Sequence, residues 1–335
     1  MPSPTRDDLL ARATLLAAAW GPLAEPPQLL SNRENAVFKL TLAEGGRAAL
    51  RLHRPGYQSL AAIEAELDWT LRLANGGLNV PRPCRAWDGA LVVRDESGLA
   101  SLVSWVEGVP MGRVDQPLRG DRASRVALFR RLGRLLGRLH QDTDAITFTT
   151  QPDRPHWNLD GLLGSDPRWG RFWEHPALSS ADRRVMEAAH DAARTALSDW
   201  QARAPLGDYG LIHADLMREN VFVSGDQLAL IDFDDSGYGF RAYDLGTAML
   251  QNLREPDLGD LTEALLEGYA ETRPAAAYGQ AELTFFTMLR CFASCGWIVT
   301  RMPSDSPMQG FYAARALRMA RAFLSGQTEL AKIWA

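Results

Sequence analysis

Between Thr5 and Trp20 the apolar positions Leu9, Leu10, Ala13, Leu16 and Ala17 recur at helical spacing, and Gly21-Pro22 stops the run, so the chain is predicted to open on a helix. From Asn35 the period shortens. Val37 to Leu42 and Ala48 to His53 flank Glu44-Gly45-Gly46, the pattern of a β-hairpin. Helical period returns over Ser59 to Ala74, with Ile63, Leu67, Leu71 and Leu73 apolar and Gly76-Gly77 closing the segment. Leu91-Val92-Val93 and Leu99 to Val106 read as short strands about the turn at Asp95 to Gly98. Beyond Gly108 and Pro110 helical patterns dominate. Arg122 to His140 is strongly amphipathic, and Ser180 to Ala202, Leu261 to Thr272 and Glu282 to Arg301 are further helices. Asp142 to Trp169, rich in Pro, Asp, Gly and Trp, reads as an irregular connection, and a second hairpin is predicted at Val221 to Ile231. Strands gathered in the first part and helices in the second predict an α+β fold with two lobes.

Composition narrows this picture without changing it. With 335 residues, 46% hydrophobic and 23% charged, the chain has enough apolar material for a large core. Its net charge of -5 and pI near 5.7 argue against a nucleic-acid partner, which calls for a basic face. Lysine occurs only at Lys39 and Lys332, so arginine is expected wherever a cation is needed. Cys84, Cys291 and Cys295 form neither a paired disulfide framework nor a metal spacing, and Cys291 and Cys295, one turn apart in an apolar stretch, read as buried thiols. The first residues lack a basic segment followed by an apolar one, and no apolar run is seen to approach the ~20 residues of a membrane span, so a cytoplasmic protein with no membrane partner is expected.

The candidate chemistry begins at Leu211-Ile212, after which His213, Asp215 and Asn220 stand in the spacing H-x-D-x-x-x-x-N. Val221-Phe222-Val223, a turn at Ser224-Gly225-Asp226, and Leu228 to Ile231 follow, ending in Asp232-Phe233-Asp234-Asp235. An antiparallel hairpin brings its ends together, so Asn220 and Asp232 are expected to converge on one cation. Hard oxygen ligands in such small number suit Mg²⁺, which fills its shell with phosphate and water. Asp215, on the loop before the hairpin, is placed to accept a proton from a hydroxyl as it attacks a phosphoryl group. His213 reads as a residue that organises the loop. Asp234 and Asp235 read either as further ligands or as an acidic surround, and Asp244 as a cap or brace near a helix start.

At these residues the chain resembles the aminoglycoside phosphotransferase-like kinase family, to which choline kinases, homoserine kinases and a bacterial stress-response protein kinase also belong. HADLMREN and IDFDDSGYGFRAYDLG carry most of the resemblance. It implies a bilobal protein-kinase-like fold, with a β-rich nucleotide-binding lobe over 1–103, a hinge over 104–108 and a mainly helical catalytic and acceptor-binding lobe over 109–335. It also implies transfer of the γ-phosphate of ATP, with Mg²⁺, to a hydroxyl group of a small molecule. Within the first lobe, Glu34 to Phe38 looks like the family's nucleotide-covering hairpin and Leu50 to Arg54 like its third strand. By that likeness Arg51 is the strand's cation, Glu66 is its partner on the following helix, and the backbone at Ser104 and Val106 holds adenine.

Two departures bear on function. The family's usual strand lysine is Arg51 here, a wider, permanently charged fork. Leu30 to Asn35 also lacks the glycines with which protein kinases approach phosphate closely, which favours the small-molecule branch. A protein Ser/Thr kinase of the stress-response type and a nucleotide-binding pseudokinase are the alternatives. For the acceptor, Arg290, Trp297 and Arg301 are candidates on one helix that read equally as core and solvated side chains. The acidic residues around Asp234 and Asp235 hint at a cationic acceptor.

Overall fold

The computed structural model describes residues 4–32, 35–204, 208–276 and 278–335. The chain divides into two compact units, the first comprising Met1–Val109, Ile146–Arg154 and Phe222–Asp234, the second the remainder. Arg33 and Glu34, in the segment read as the nucleotide-covering hairpin, lie outside the described residues.

In the first unit, α1 (Arg6–Ala17) starts at a capping box in which Thr5 and Asp8 satisfy each other's backbone amides. The strands β1 (Gln28–Asn32), β2 (Ala36–Thr41), β3 (Arg47–Leu52), β4 (Pro83–Cys84), β5 (Val92–Asp95) and β6 (Gly98–Ser104) form one sheet. Its order is β1-β2-β3-β6-β4, with β5 also paired to β6. The predicted hairpin is present as β2 and β3, in a register that sets Val37 opposite Arg51 and Phe38 opposite Leu50. Phe38, Leu40, Leu50 and Leu52 face the core built on α1 with Leu9, Ala13 and Leu16. Because side chains alternate along a strand, Arg51 points to the other face. That face meets α2 (Leu60–Asn75), capped by Ser59, whose buried stripe includes Ile63, Glu66, Trp69 and Leu73. Each fully buried large apolar side chain contributes about 1.5–3 kcal/mol, so both faces of the sheet hold Arg51 in place.

The second hairpin joins Val221–Ser224 to Gln227–Leu230 through Gly225, whose φ of 57° lies in the left-handed region that glycine adopts without penalty. It falls with the first unit from Phe222 onward.

The second unit is mainly helical: α3 (Arg122–Ala145), α4 (Leu159–Leu163), α5 (Ser180–Arg203), α6 (Arg241–Met249), α7 (Leu258–Thr272), α8 (Gln280–Arg301), α9 (Pro307–Leu324) and α10 (Leu330–Trp334). Helices α3 and α7 approach so closely that a Cβ on Gly133 would collide with the carbonyl of Leu265, and one on Gly268 with that of Arg130. Three short strands, His156–Trp157, Gly237–Phe240 and Tyr209–Ile212, form a small sheet whose last member runs directly into His213. The connection read as irregular over 142–169 thus holds the end of α3, a short strand and α4.

One expectation needs correction. Helix α8 is long and apolar enough to cross a membrane, its best window having a mean hydropathy of 1.4, but 78% of that window is buried inside the protein. Apolar side chains all round a helix are what a core position requires. Cys291 and Cys295 lie in it as buried free thiols, and burial pushes them up to about 11 and about 12.

Candidate active site

In the second unit the strand Tyr209–Ile212 delivers His213, Ala214 and Asp215 into a loop with an uncommon backbone. Ala214 has φ 65°, a left-handed conformation that costs a residue with a Cβ about 1–2 kcal/mol. Asp244, in the first turn of α6 and fully buried, holds it there: its carboxylate accepts the N–H of His213 at 2.9 Å and of Ala214 at 2.7 Å. Nε2 of buried His140 lies 3.1 Å from the same carboxylate, and the Tyr269 hydroxyl 2.9 Å from the other ring nitrogen. Burial opposes charge on Asp244, but its hydrogen bonds with His140 and the loop amides outweigh it and hold the carboxyl below its ordinary value. Asp244 is therefore a brace rather than a helix cap, since the cap position is Phe240.

The loop's far end is anchored by Arg218, almost wholly buried. Its Nε donates to Asn252 Oδ1 at 2.9 Å, Nη1 to the Gln116 carbonyl at 2.6 Å and Nη2 to Glu255 at 2.5 Å. Between these anchors stands Asp215, its side chain 24% exposed. Arg290 Nη2 donates to its Oδ1 at 2.8 Å and Asn220 Nδ2 to its Oδ2 at 3.0 Å. Asn220 also donates to the Asp215 carbonyl at 2.9 Å. His213 is fully buried, and its Nδ1 accepts the Asp215 N–H at 3.3 Å, which suits an organising residue. Both oxygens of Asp215 are thus aimed by neighbours on separate elements. Of the three acceptor-site candidates, Arg290 stands beside Asp215, stacked 4.5 Å over the Trp169 ring, whereas Trp297 and Arg301 line a cavity with Trp169.

In the first unit Arg51 sits within reach of three carboxylates. Its Nη1 donates to Glu66 Oε1 at 2.9 Å and to Asp234, and its Nη2 lies 3.5 Å from Asp232. Burial works against the guanidinium's charge, yet attraction to Asp234, Glu66 and Asp232 prevails and raises it above its ordinary value. Burial also pushes Glu66 up, with Asp234 adding to that and Arg51 and Arg154 pulling against it. Asp232 has φ 65° and a side chain 49% exposed, so its backbone is constrained and its carboxylate is accessible. Asp234 is engaged instead: Asn35 and Arg51 bind its carboxylate, and Gln58 at 2.8 Å and Arg154 at 2.6 Å bind its carbonyl. Arg154 donates as well to the carbonyls of Phe233 and, on α2, Ala62 at 3.0 Å, joining the helix of Glu66 to the loop of Asp232. Ser104 ends β6, its N–H donating to the Arg82 carbonyl at 2.8 Å, and Val106 follows as non-regular chain.

Of the residues expected from the sequence, Asp215 and Asn220 meet in the second unit, and Arg51, Glu66 and Asp232 cluster in the first. Gln58, His140, Arg154 and Arg218 were not singled out. For Arg154 the signal was an arginine in a stretch read as irregular, and for Arg218 its place inside the H-x-D-x-x-x-x-N segment.

The phosphotransferase enzyme family matches residues 27–280, most of the chain. An uncharacterized protein of Deinococcus radiodurans is 30% identical over 300 residues, covering 87% of this chain and 82% of that one. A homoserine kinase of Rhizobium johnstonii is 30% identical over 236 residues, covering 69% of this chain and 65% of its own length. Among solved structures, a microcompartment-associated aminopropanol kinase aligns with a TM-score of 0.79 at 28% identity, over 96% of this chain and 99% of that one. An amicoumacin kinase in complex with AMP-PNP, Ca²⁺ and Ami aligns with a TM-score of 0.74 at 21% identity, over 98% and 95%. With its kinase-like α+β fold and its H-x-D-x-x-x-x-N loop, the chain belongs to the phosphotransferase enzyme family.

Proposed function

We propose that this chain transfers the γ-phosphate of ATP, bound with Mg²⁺, to a hydroxyl group of a small molecule. The observation that carries this reading is Asp215: a partly exposed carboxylate whose two oxygens are fixed by Arg290 and Asn220 on a loop held in a left-handed turn by Asp244. A base needs this kind of preorganisation, because a hydroxyl proton is transferred efficiently only over hydrogen-bond distance. In our reading Asp215 orients the acceptor hydroxyl and takes its proton as the oxygen bonds to phosphorus.

The donor set fits magnesium. Asn220 spends its amide hydrogens on Asp215, so its oxygen is the atom left for a cation, and Asp232 offers an accessible carboxylate. When bound, the ion offsets charge on the β- and γ-phosphate oxygens. Arg51 serves the phosphates as the family's lysine does, steadied by Glu66, and the backbone at Ser104 and Val106 receives the adenine. The small-molecule branch is favoured because the homoserine and aminopropanol kinases are named for small hydroxyl compounds.

Nucleotide and metal are tested together by thermal unfolding. At about 100 times its dissociation constant ATP adds about 2.7 kcal/mol of stability, and this gain is expected only with magnesium present. The Asp232→Ala variant should lose the magnesium-dependent part. Equal stabilisation in EDTA, or an unchanged response in the variant, would remove Asp232 from the metal site.

A further inference from the structure

A cavity of about 480 Å³ lies within the second unit, lined among others by Arg168, Trp169, Arg171, Glu174, Trp297 and Arg301. Its volume falls in the range of small-molecule sites, roughly 300–1,000 Å³. Three arginines against one glutamate make its lining cationic, and Glu174 is itself bound by Arg171 at 3.2 Å. Burial holds the His175 ring below its ordinary value, which disfavours a charge there. Indole rings carry the guanidinium faces: Arg168 lies 5.3 Å over Trp157 and Arg301 5.8 Å over Trp297. Stacking of this kind orients a guanidinium and reduces the entropy it loses on binding an oxyanion.

Trp169 connects this cavity to the chemistry, because the same ring that lines it carries Arg290, the partner of Asp215. Arg290 is 3% exposed, and its Nε and Nη1 have no hydrogen-bond partner among the described residues. Those atoms are sealed from solvent and Arg290 does not line the cavity, so its part is to fix the face of the Trp169 ring beside Asp215. The hint of a cationic acceptor loses force at the same time, since Asp234 is taken up by Arg51 and Asn35.

We propose that the cavity at Trp169, Trp297 and Arg301 binds a carboxylate carried by the acceptor, so that the substrate class is hydroxy acids rather than simple amino alcohols. This rests on the reading of Asp215 as the base that meets the acceptor's hydroxyl. The apolar stem of such an acid would lie against the two indoles, and its carboxylate would meet Arg168 and Arg301.

The test compares three probes of one chain length, γ-hydroxybutyrate, butanediol and aminobutanol, by calorimetry on the full chain and by ADP release with Mg-ATP. A charge-assisted hydrogen bond is worth about 1.5–3 kcal/mol, so γ-hydroxybutyrate should bind about tenfold or more tightly than either analogue. An Arg168→Gln, Arg301→Gln double variant should bring the three to parity while keeping its thermal response to ATP, and Arg301→Lys should retain part of the preference. Absence of a carboxylate preference in the wild-type protein, with or without measurable binding, overturns the proposal. Selective binding of γ-hydroxybutyrate with no phosphoryl transfer to any hydroxyl compound would instead count against the reading of Asp215, and transfer to all three at equal efficiency would count against the cavity alone.

Discussion

Replacing Asp215 by Asn is expected to lower turnover by about 10² to 10⁴-fold, the contribution of a positioned general base. The amide has the carboxylate's shape, so the acceptor's place is kept while the proton's destination is lost. ATP binding should be nearly unaffected, because Arg51, Glu66 and Asp232 belong to the other unit's cluster. The substitution also removes the partner of buried Arg290, so unfolding must be measured beside turnover. A stability loss with turnover reduced less than about tenfold would make Asp215 a structural partner of Arg290 rather than a base.

The second large effect is expected at Asp244. Replacing it by Ala strands the amides of His213 and Ala214 and the ring of His140 in a fully buried place. Breaking a buried charged network by removing one partner costs about 3–5 kcal/mol, and urea unfolding should show a loss of that size. Turnover should fall with it in whatever fraction remains folded, because the Asp244 carboxylate accepts the N–H groups of both His213 and Ala214 and so holds the left-handed turn. A variant as stable as the wild type would mean that the loop keeps its conformation without this brace.

Much of this centre was legible in the sequence, and the reasons are local. The family likeness named Arg51 on the third strand and Glu66 on the following helix, and the strand's alternation, with Leu50 and Leu52 buried, sets Arg51 on the opposite face, where it meets Glu66. The spacing from His213 to Asn220 singled out Asp215 and Asn220, whose side chains are in contact. What stayed hidden depends on contacts distant in sequence. The partners of the Asp234 carboxylate, Asn35 and Arg51, stand 199 and 183 positions away. Arg154 lies in a stretch with no periodicity at all, yet its guanidinium ties α2 to the Phe233-Asp234 backbone. Helix α6 is buried on every side, so it has no polar stripe to reveal a helical period, and only Asp244 near its start drew notice. Helix α8 was read as a helix with buried thiols, but its apolar length, which a core helix and a membrane span share, was passed over.

We propose that this centre moves phosphate from ATP to an alcohol. It is tested most directly by phosphorus NMR of the protein with Mg-ATP and a panel of hydroxyl compounds that includes homoserine, aminopropanol and γ-hydroxybutyrate. A new phosphate monoester signal is expected from at least one compound, growing in step with ADP and absent with Asp215→Asn. ATP that binds but stays intact with every compound, or ADP accompanied only by inorganic phosphate, would contradict it.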